Sequence, residues 1–264
     1  MLRLENIHKT FNIDSINEKK ALHGIDLRLA EGDFVTVVGG NGAGKSTMLN
    51  AIAGVWPIDE GFVSIDSINV TALPEHKRAQ YIGRVFQDPM MGTAASMSIE
   101  ENLALALRRG DKRTLRWYIT KAERERYYME LKKLGLGLEE RLTVKVGLLS
   151  GGQRQALTLL MATLKKPRLL LLDEHAAALD PATATTVLDL TNNIVSENKL
   201  TVLMITHNMT EAIRHGNRLL MMDAGKIILD ICGEEKKELK ITDLLRRFKE
   251  SSGVQMETDS VLLS

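Results

Sequence analysis

A glycine-rich segment constrains the fold of this chain more than any other stretch. It is called the glycine loop below and reads Gly39-Gly40-Asn41-Gly42-Ala43-Gly44-Lys45-Ser46-Thr47. The apolar, β-branched run Phe34 to Val38 precedes the loop and predicts a buried strand. After the loop, Met48, Leu49 and Ile52 share one face of a predicted short helix, which Gly54 can close in the left-handed conformation. The segment is therefore a strand–loop–helix unit with the pattern G-x-x-x-x-G-K-S.

The residue types of the glycine loop are those that hold the phosphates of a nucleotide. Glycines let the backbone turn so that its N–H groups point into one concavity, and the following helix N-terminus adds partial positive charge there. Lys45 can then reach the β- and γ-phosphates as a point charge, and the Ser46 hydroxyl can ligate Mg²⁺. A glycine-rich turn with a chance lysine is the competing interpretation, and the flanking strand and helix argue against it.

Composition and charge exclude several classes of protein. The 264 residues suffice for one large domain or two small ones, and the formal net charge of +1 gives no bulk attraction for nucleic acid. Cys232 is the single cysteine, which excludes an intrachain disulfide and is typical of a reducing compartment. The longest nearly apolar stretch, Ala156 to Leu164, is far shorter than the roughly 20 residues of a membrane span. We therefore expect a cytoplasmic protein that can still sit against a membrane protein.

Two carboxylates follow a second predicted strand. The leucine run Leu169 to Leu172 leads directly into Asp173 and Glu174. The carboxyl end of a strand is where an α/β sheet places ligand chemistry, so Asp173 suits Mg²⁺, directly or through water. Glu174 suits the orientation and deprotonation of an attacking water. An Asp-Glu pair is also a common start of a helix, but the presence of the glycine loop in the same chain favours the catalytic interpretation.

Other polar residues stand at the ends of predicted strands. The strand Thr201 to Thr206 ends at His207, which we expect to face the same crevice as the two carboxylates and to contact a γ-phosphate. The short strand Ile82 to Phe86 ends at Gln87, which can reach a metal or a water but is by itself an ordinary loop residue. Phe11 precedes a polar loop, and the pattern alone favours a core residue over one that stacks on a base.

A helix start provides a second candidate anion site. Ser150-x-x-Gln153 is a capping box ahead of the apolar helix Ala156 to Leu164. A well-capped helix explains this pattern without any ligand. The Ser150 hydroxyl and the N–H groups of Gly151 and Gly152 can also hold a phosphate at the helix N-terminus. The two interpretations are compatible, since a phosphate can occupy the cap.

The middle of the chain, from residue 88 to about 165, is predicted to be helical. Capping boxes at Ser98-x-x-Glu101 and at Thr120-x-x-Glu123 open two helices there. Farther along, Asp180-Pro181 combines an N-cap with a proline at the first helical position and predicts another helix.

Two features of this middle region leave alternatives open. The segment Arg108 to Lys121 is basic and aromatic, which is typical of nucleic-acid or lipid contacts, but the neutral chain favours a solvated helix face. Met90, Met91 and Met97 form a methionine cluster that suits a core and a surface for a partner helix equally well.

Taken together, the motifs resemble those of the ATPase subunits of ABC transporters over about residues 1–231. The segment LSGGQRQ, Leu149 to Gln155, is the most specific because it is similar to the ABC signature, whereas many NTPases share the glycine loop, or P-loop. The other matches are Leu169 to Glu174 with Walker B, Ala178-Leu179-Asp180 with the D-loop, Gln87 with the Q-loop, His207 with the switch histidine and Phe11 with the adenine-stacking aromatic. The last match changes the interpretation of Phe11 from core residue to base contact.

The resemblance implies an α/β fold. Its parts are a P-loop NTPase core with a mixed sheet, an N-terminal antiparallel β-subdomain and an inserted α-helical subdomain at about residues 88–165. Residues 1–232 then form a single nucleotide-binding domain, and residues 233–264 a short charged tail. One departure is His175, which stands where the family more often has proline.

The resemblance also implies a mechanism that uses ATP and Mg²⁺. Two copies dimerise head to tail, and each phosphate chain lies between the glycine loop of one copy and Ser150-Gly151-Gly152 of the other. Glu174 is the general base, while His207 and Gln87 position the γ-phosphate, metal and water. The implied nucleotide contacts are Phe11, the glycine loop, Ser150, Gly151, Gly152, Gln153 and Asp180. The implied metal ligands are Ser46, Gln87 and Asp173.

The implied partners are a second ATPase subunit, most simply an identical one, and an integral membrane permease whose short helix docks near Met90 to Met97. An extracytoplasmic substrate-binding protein is an indirect partner, and no nucleic acid is expected. The chain would lie on the inner face of the cell membrane. The runs DEHAAALDP and GLLSGGQRQALTLLMAT resemble a bacterial importer subgroup associated with tryptophan- or tyrosine-type substrate-binding lipoproteins.

Two other function classes compete. A non-transport ABC ATPase that acts on ribosomes or nucleic acid usually has two fused cassettes, or one split by a long coiled coil, and this chain has one cassette without sustained heptads. A P-loop kinase would not need LSGGQ, and a GTPase would usually show Asn-Lys-x-Asp, which is absent.

Overall fold

The structure, a computed structural model, describes residues 1–111 and 119–252, with side chains through residue 250. Its strands are β1 (Leu2–Phe11), β2 (Lys19–Leu29), β3 (Phe34–Val38), β4 (Glu60–Ile65), β5 (Ile68–Asn69), β6 (Ile82–Val85), β7 (Leu169–Asp173), β8 (Thr201–Ile205), β9 (Arg218–Asp223) and β10 (Lys226–Cys232). Its helices are α1 (Lys45–Ala53), α2 (Glu75–Arg78), α3 (Ile99–Leu107), α4 (Lys121–Lys132), α5 (Gly151–Thr163), α6 (Pro181–Asn198), α7 (Met209–Arg214), α8 (Gly233–Glu238) and α9 (Ile241–Ser252). The chain divides into a first unit, residues 1–78 with the described residues from 200 on, and a second unit, residues 79–199.

The first unit contains an antiparallel sheet with the strand order β2-β1-β4-β5. Leu2 lies opposite Leu29 and Leu4 opposite Leu27, and all four side chains are buried on one face. The alternation of apolar and polar residues along these strands therefore places one face in the core. Strand β1 continues to Phe11.

A mixed sheet in the same unit has β9, β3 and β8 in parallel and β10 antiparallel to β9. Strand β3 is buried along its whole length, as its apolar run predicted. Strands β9 and β10 form a hairpin, and both of its turn residues, Ala224 and Gly225, have positive φ angles, of 43° and 77°. The C-terminal helix α9 buries Leu244 and Phe248 among the apolar residues of this layer, so residues as far as 248 belong to the core.

The second unit joins a parallel pair, β6 and β7, to the helices α3, α4, α5 and α6. Its core includes Leu103, Tyr127, Leu131 and Leu157, which are fully buried. The capping boxes predicted at the starts of α3, α4 and α5 are all present in both directions. Helix α5 begins at Gly151, earlier than its apolar run indicated, because the capping box includes both glycines in the first turn.

The predicted α/β class, with an antiparallel N-terminal sheet, a mixed sheet and helices between the strands, is confirmed. Within residues 1–111 and 119–252, no helix is long and apolar enough to cross a membrane. Half of the basic segment Arg108 to Lys121, including Trp117 and Tyr118, lies outside the described residues, so its interpretation as a solvated face stays a prediction.

Candidate functional site

The glycine loop follows β3 in the first unit. Two of its positions, Gly39 and Gly44, have no room for a side chain. Gly39 has a φ of 153°, and a Cβ there would lie 2.2 Å from the carbonyl oxygen of Met222. Gly44 has a φ of 99°, and a Cβ would lie 2.7 Å from the carbonyl oxygen of Ala21. Both distances are far below van der Waals contact, so the loop backbone is packed against neighbouring strands. This packing fixes the loop before any ligand arrives.

Helix α1 starts inside the loop without a side-chain cap. Its N-cap is Gly44, and no acidic residue occupies the first turn, so the helix N-terminus keeps its amide groups and its partial positive charge for an outside anion. Lys45 is 7% exposed, and its Nζ donates to the carbonyls of Gly39 (2.7 Å) and Gly40 (3.1 Å). The Lys45 ammonium therefore lies against the backbone of its own glycine loop.

The remaining loop residues divide by exposure. Ala43 is buried and its carbonyl accepts a hydrogen bond from Gly225 N–H (3.0 Å), which ties the loop to the β9–β10 turn. The residues open to solvent are Asn41, Gly42 and Ser46, and the half-buried ones are Gly40 and Thr47. The Ser46 hydroxyl is therefore accessible to an incoming phosphate–metal group.

His207 follows β8, which pairs in parallel with β3 in the same unit. The carboxyl ends of neighbouring parallel strands meet at one sheet edge, so His207 and the glycine loop emerge side by side. His207 is exposed, and the backbone behind it is fixed because Asn208 caps α7 through Glu211 N–H (3.1 Å) and Thr206 Oγ1 donates to Glu211 (3.0 Å).

Phe11 is the last residue of β1 and is half-buried. Its ring centroid lies 4.9 Å from that of Trp56 at an interplanar angle of 82°, an edge-to-face pair, and Lys9 Nζ lies 5.5 Å from the Phe11 centroid. Sequence reasoning missed Trp56; its position just after the glycine that ends α1 was the available signal. The structure thus orients Phe11 through an aromatic neighbour, and adenine stacking stays a prediction.

In the second unit, Gln87 and Asp173 leave neighbouring parallel strands at the same edge. Strand β6 pairs with β7 so that Val85 lies opposite Leu172, and Asp173 is the last residue of β7. Glu174 follows with a φ of 46°, a left-handed conformation that is rare for a residue with a side chain. No sequence signal indicated this conformation. The exposed Gln87 and the half-buried Asp173 and Glu174 are accessible to a ligand.

His175 turns away from this edge. It is 2% exposed, and its Nε2 lies 2.9 Å from Thr191 Oγ1. Because the Thr191 hydroxyl donates its proton to the carbonyl of Val187 (2.8 Å), His175 Nε2 is the donor in their bond. His175 therefore fastens the segment after Glu174 to helix α6 and has a structural position.

Ser150 is exposed at the start of α5 in the same unit. Its hydroxyl accepts from Gln153 N–H (3.3 Å), and the Gln153 side chain accepts from Ser150 N–H (3.3 Å). A hydroxyl that accepts one hydrogen bond can still donate its own proton, so the cap leaves Ser150 able to bind an anion.

The start of α6 packs against this cap. A Cβ on Gly151 would contact Leu179 Cδ2 at 3.3 Å, and one on Gly152 would lie 2.1 Å from Thr183 Cγ2. Asp180 caps α6 by accepting from Thr183 N–H (3.1 Å), and the bonds from the Thr183 hydroxyl and N–H lower the pKa of Asp180. Two capped helix starts, each with predicted nucleotide contacts, thus lie together in the second unit.

Asn102 holds the loop that contains the methionine cluster. This buried side chain donates to the carbonyls of Ala94 (3.1 Å) and Ser98 (2.9 Å) and accepts from Ala94 N–H (2.8 Å). Met90 and Met91 are 41% and 71% exposed, so these two are surface residues. Sequence reasoning did not identify Asn102, because its partners are backbone groups in a loop.

The sequence comparisons agree with the motif assignment. A sequence profile described as ABC transporter matches residues 22–177. The chain is 41% identical over 249 residues to a tyrosine transport ATP-binding protein of Clostridioides difficile (strain R20291), covering 94% of this chain and 99% of that protein. It is 33% identical over 231 residues to methionine import ATP-binding protein MetN 2 of Pseudomonas entomophila (strain L48), covering 86% of this chain and 66% of that protein.

Solved structures give the same result for the fold. The ATP-binding cassette MJ0796, in a dimeric post-hydrolysis state with ADP and Pi, matches with a TM-score of 0.75 at 29% identity, covering 88% of this chain and 98% of that one. The ADP conformation of the cassette MJ1267 matches with a TM-score of 0.77 at 28% identity, covering 94% and 98%.

Proposed function

The chain belongs to the ABC transporter family as an ATP-binding subunit that hydrolyses ATP to power import, and we propose that the transported solute is an amino acid. The support for this substrate class is that the two relatives described above are named for tyrosine and for methionine transport. The alternative of an ABC ATPase acting on ribosomes or nucleic acid gains no support, since one relative is named for tyrosine transport and the other for methionine import.

The glycine loop is proposed to bind the triphosphate of ATP. The observation that carries this assignment is the start of α1, which has amide donors, no side-chain cap and a basic residue drawn against it. Lys45 would exchange its bonds to loop carbonyls for bonds to the β- and γ-phosphates, which are stronger because both partners are charged. Phe11, with Trp56 at its ring, would form the adenine side of the site.

Glu174 is proposed as the general base and His207 as the contact to the γ-phosphate. Glu174 would accept a proton from the attacking water, and the exposed imidazole of His207 can donate a hydrogen bond to a phosphate oxygen. The contacts beside each residue support these roles, since His175, directly after Glu174, bonds to Thr191 and Asn208, directly after His207, caps α7, and a base must keep its position during proton transfer.

The donor groups fit Mg²⁺. Asp173, Ser46 and Gln87 offer a carboxylate, a hydroxyl and an amide oxygen, the hard ligands that this ion prefers. Over the described residues, no cluster of three or more His, Cys, Asp or Glu side chains forms a metal cage. Mg²⁺ is usually held by one or two carboxylates together with phosphates and water. When bound, Mg²⁺ neutralises phosphate charge and orients the γ-phosphate.

ATP-binding subunits of this family dimerise and work with membrane permeases. The proposal here is a homodimer in which Ser150, Gly151 and Gly152 of each subunit close the nucleotide site of the other, with Gln153 and Asp180 holding that surface. The exposed Ser150 hydroxyl at a helix start supports this, because it can donate to an anion without losing its cap.

The permease is proposed to dock on the loop that Asn102 holds, through the exposed Met90 and Met91. Flexible methionine side chains adapt to a partner helix, and the fixed backbone beneath them keeps the surface in place. An extracytoplasmic substrate-binding protein would act through the permease. The subunit would lie on the inner face of the membrane.

A glutamate-to-glutamine pair of variants tests the catalytic assignment. We expect Glu174→Gln to bind ATP normally, to lose at least about 100-fold in ATPase rate, and to accumulate as an ATP-bound dimer. Phosphate release and light scattering after size-exclusion chromatography measure rate and dimer. The matched control is Glu31→Gln, at an exposed turn, which should behave as the natural protein. A normal ATPase rate for Glu174→Gln would contradict its role as base.

A separate experiment tests the transport assignment. The tagged chain is purified from detergent-solubilised membranes of its host, and we expect a multi-span permease to co-purify. The complex in proteoliposomes, supplied with its substrate-binding protein, should take up tyrosine or methionine only with ATP. Recovery of ribosomes or nucleic acid in place of a permease would contradict the proposal.

A further inference from the structure

We infer that Arg84 sets the metal affinity of the site, because its guanidinium competes with a divalent cation for the carboxylate of Asp173. This inference rests on the proposed role of Asp173 at Mg²⁺. Arg84 touches neither substrate nor reacting atoms in this assignment, so it is a positioning residue.

The two side chains meet across the parallel pair β6 and β7. Arg84 lies opposite Leu171, and Asp173 is two residues farther along the same strand, so its side chain is on the same sheet face. Arg84 Nη2 lies 3.4 Å from Asp173 Oδ2, and the side chains are 12% and 17% exposed. The two groups thus form a largely buried ion pair, longer than a direct charge-assisted hydrogen bond, at the end of the strand that leads to Glu174.

The Phe86 ring packs against the Arg84 guanidinium and restricts its orientation. Arg84 Cζ lies 4.4 Å from the centroid of the Phe86 ring, a cation–π contact. Phe86 is itself held, because the buried side chain of Gln155 donates to its carbonyl (3.2 Å). A guanidinium stacked on an anchored ring cannot easily swing away from Asp173. Since Gln87 follows Phe86, the same contacts join two of the proposed metal ligands.

The positive charge of Arg84 lowers the affinity of the Asp173 carboxylate for a cation. A fixed positive charge beside a metal-binding carboxylate repels a second cation and occupies part of the oxygen surface that the cation needs. At a largely buried position solvent screens this effect weakly, and one unit charge changes cation affinity by about tenfold or more. Arg84 would therefore keep metal binding weak until nucleotide phosphates add their negative charge.

The test measures metal binding directly. Mn²⁺ is titrated into the full chain with ADP kept below the protein concentration, and free Mn²⁺ is read by electron paramagnetic resonance. We expect Arg84→Gln to lower the half-saturating Mn²⁺ about tenfold. Arg84→Lys, which keeps the charge, should stay near the natural protein. The matched control, Arg124→Gln, removes a guanidinium that pairs with Glu100 (2.6 Å) elsewhere in the same unit and should change nothing.

The variant Asp173→Asn distinguishes failure of the inference about Arg84 from failure of the proposed metal role of Asp173. If Asp173→Asn raises the half-saturating Mn²⁺ while Arg84→Gln leaves it unchanged or raises it, the inference is overturned and the proposed function stands. If Asp173→Asn has no effect, the metal role of Asp173 fails, and the inference with it. An equal shift in Arg84→Lys and Arg84→Gln also overturns the inference, because charge is then not the cause. Should Arg84→Gln not fold, Arg84→Met keeps the stem on Phe86 and takes its place.

Discussion

Replacing Gly152 by alanine tests whether the starts of α5 and α6 lie as close as the structure has them. Gly152 does not have a positive φ, so alanine is compatible with its backbone. The new methyl carbon would lie 2.1 Å from Thr183 Cγ2, where ordinary carbon–carbon contact is about 3.5–4 Å. The substitution therefore perturbs the packing between two helix starts without straining the backbone.

The magnitude follows from the ways in which the clash can be relieved. Rotating the Thr183 side chain breaks its hydroxyl bond to Asp180, and moving either helix start strains a capped turn. Overpacking of this kind costs about 1–3 kcal/mol. Alanine returns up to about 1 kcal/mol through its better helix propensity. We expect Gly152→Ala to lower the free energy of unfolding by about 1–2 kcal/mol.

Urea unfolding at constant m-value measures this loss, and a second substitution tests its cause. Thr183→Ser removes only the clashing methyl and keeps the hydroxyl that bonds Asp180. Alone it should change stability by less than about 0.5–1 kcal/mol, and combined with Gly152→Ala it should restore most of the loss. Gly151→Ala is the matched control, since its methyl would meet only the flexible end of Leu179 at 3.3 Å. Full stability of Gly152→Ala, or failure of Thr183→Ser to rescue it, would refute the close approach.

Three further outcomes are expected. Lys236 is buried, and burial lowers its pKa to about 8. Because the unfolded chain holds this proton more tightly, the free energy of unfolding should rise by at most about 3 kcal/mol as the pH goes from 8 to 10.5, and this group should leave it nearly constant below pH 8. Lys236→Met should remove that rise, as urea unfolding at pH 8 and 10 will show. Asn102→Ala should lose about 2–3 kcal/mol in the same assay, because three backbone bonds in the loop 94–98 are lost. Lys45→Ala should weaken ATP binding at least about tenfold by calorimetry, since a charge-assisted phosphate contact is removed.

Local chemistry was predictable from the sequence because its partners are close in the chain. A capping box joins residues three apart, so Ser98 with Glu101 and Ser150 with Gln153 could be identified before any fold was known. Buried strands likewise follow from runs of apolar residues. These signals, with the order of the motifs, were enough to predict the α/β fold.

The contacts that shape the candidate site depend on strand register instead. Arg84 and Asp173 are 89 residues apart, and nothing in either neighbourhood indicates that they meet. The contact of Phe11 with Trp56 is of the same kind, joining a strand end to the segment after α1. The left-handed backbone of Glu174 was also hidden, because propensity reserves such angles for glycine and tertiary packing overrides it here.

In the proposed mechanism, the starts of α1 and α5 would present two unlike surfaces to a nucleotide. Helix α1 begins with glycine and leaves its amide donors without a side-chain partner, which is unfavourable unless an anion supplies the missing acceptors. Helix α5 has Ser150 as its N-cap with a complete capping box, so an anion would add to an end that is already capped. The first surface gains more from a phosphate than the second. ATP should therefore settle on the glycine loop first, and the Ser150 surface of a second subunit should join only afterwards, which makes nucleotide binding the event that brings two subunits together.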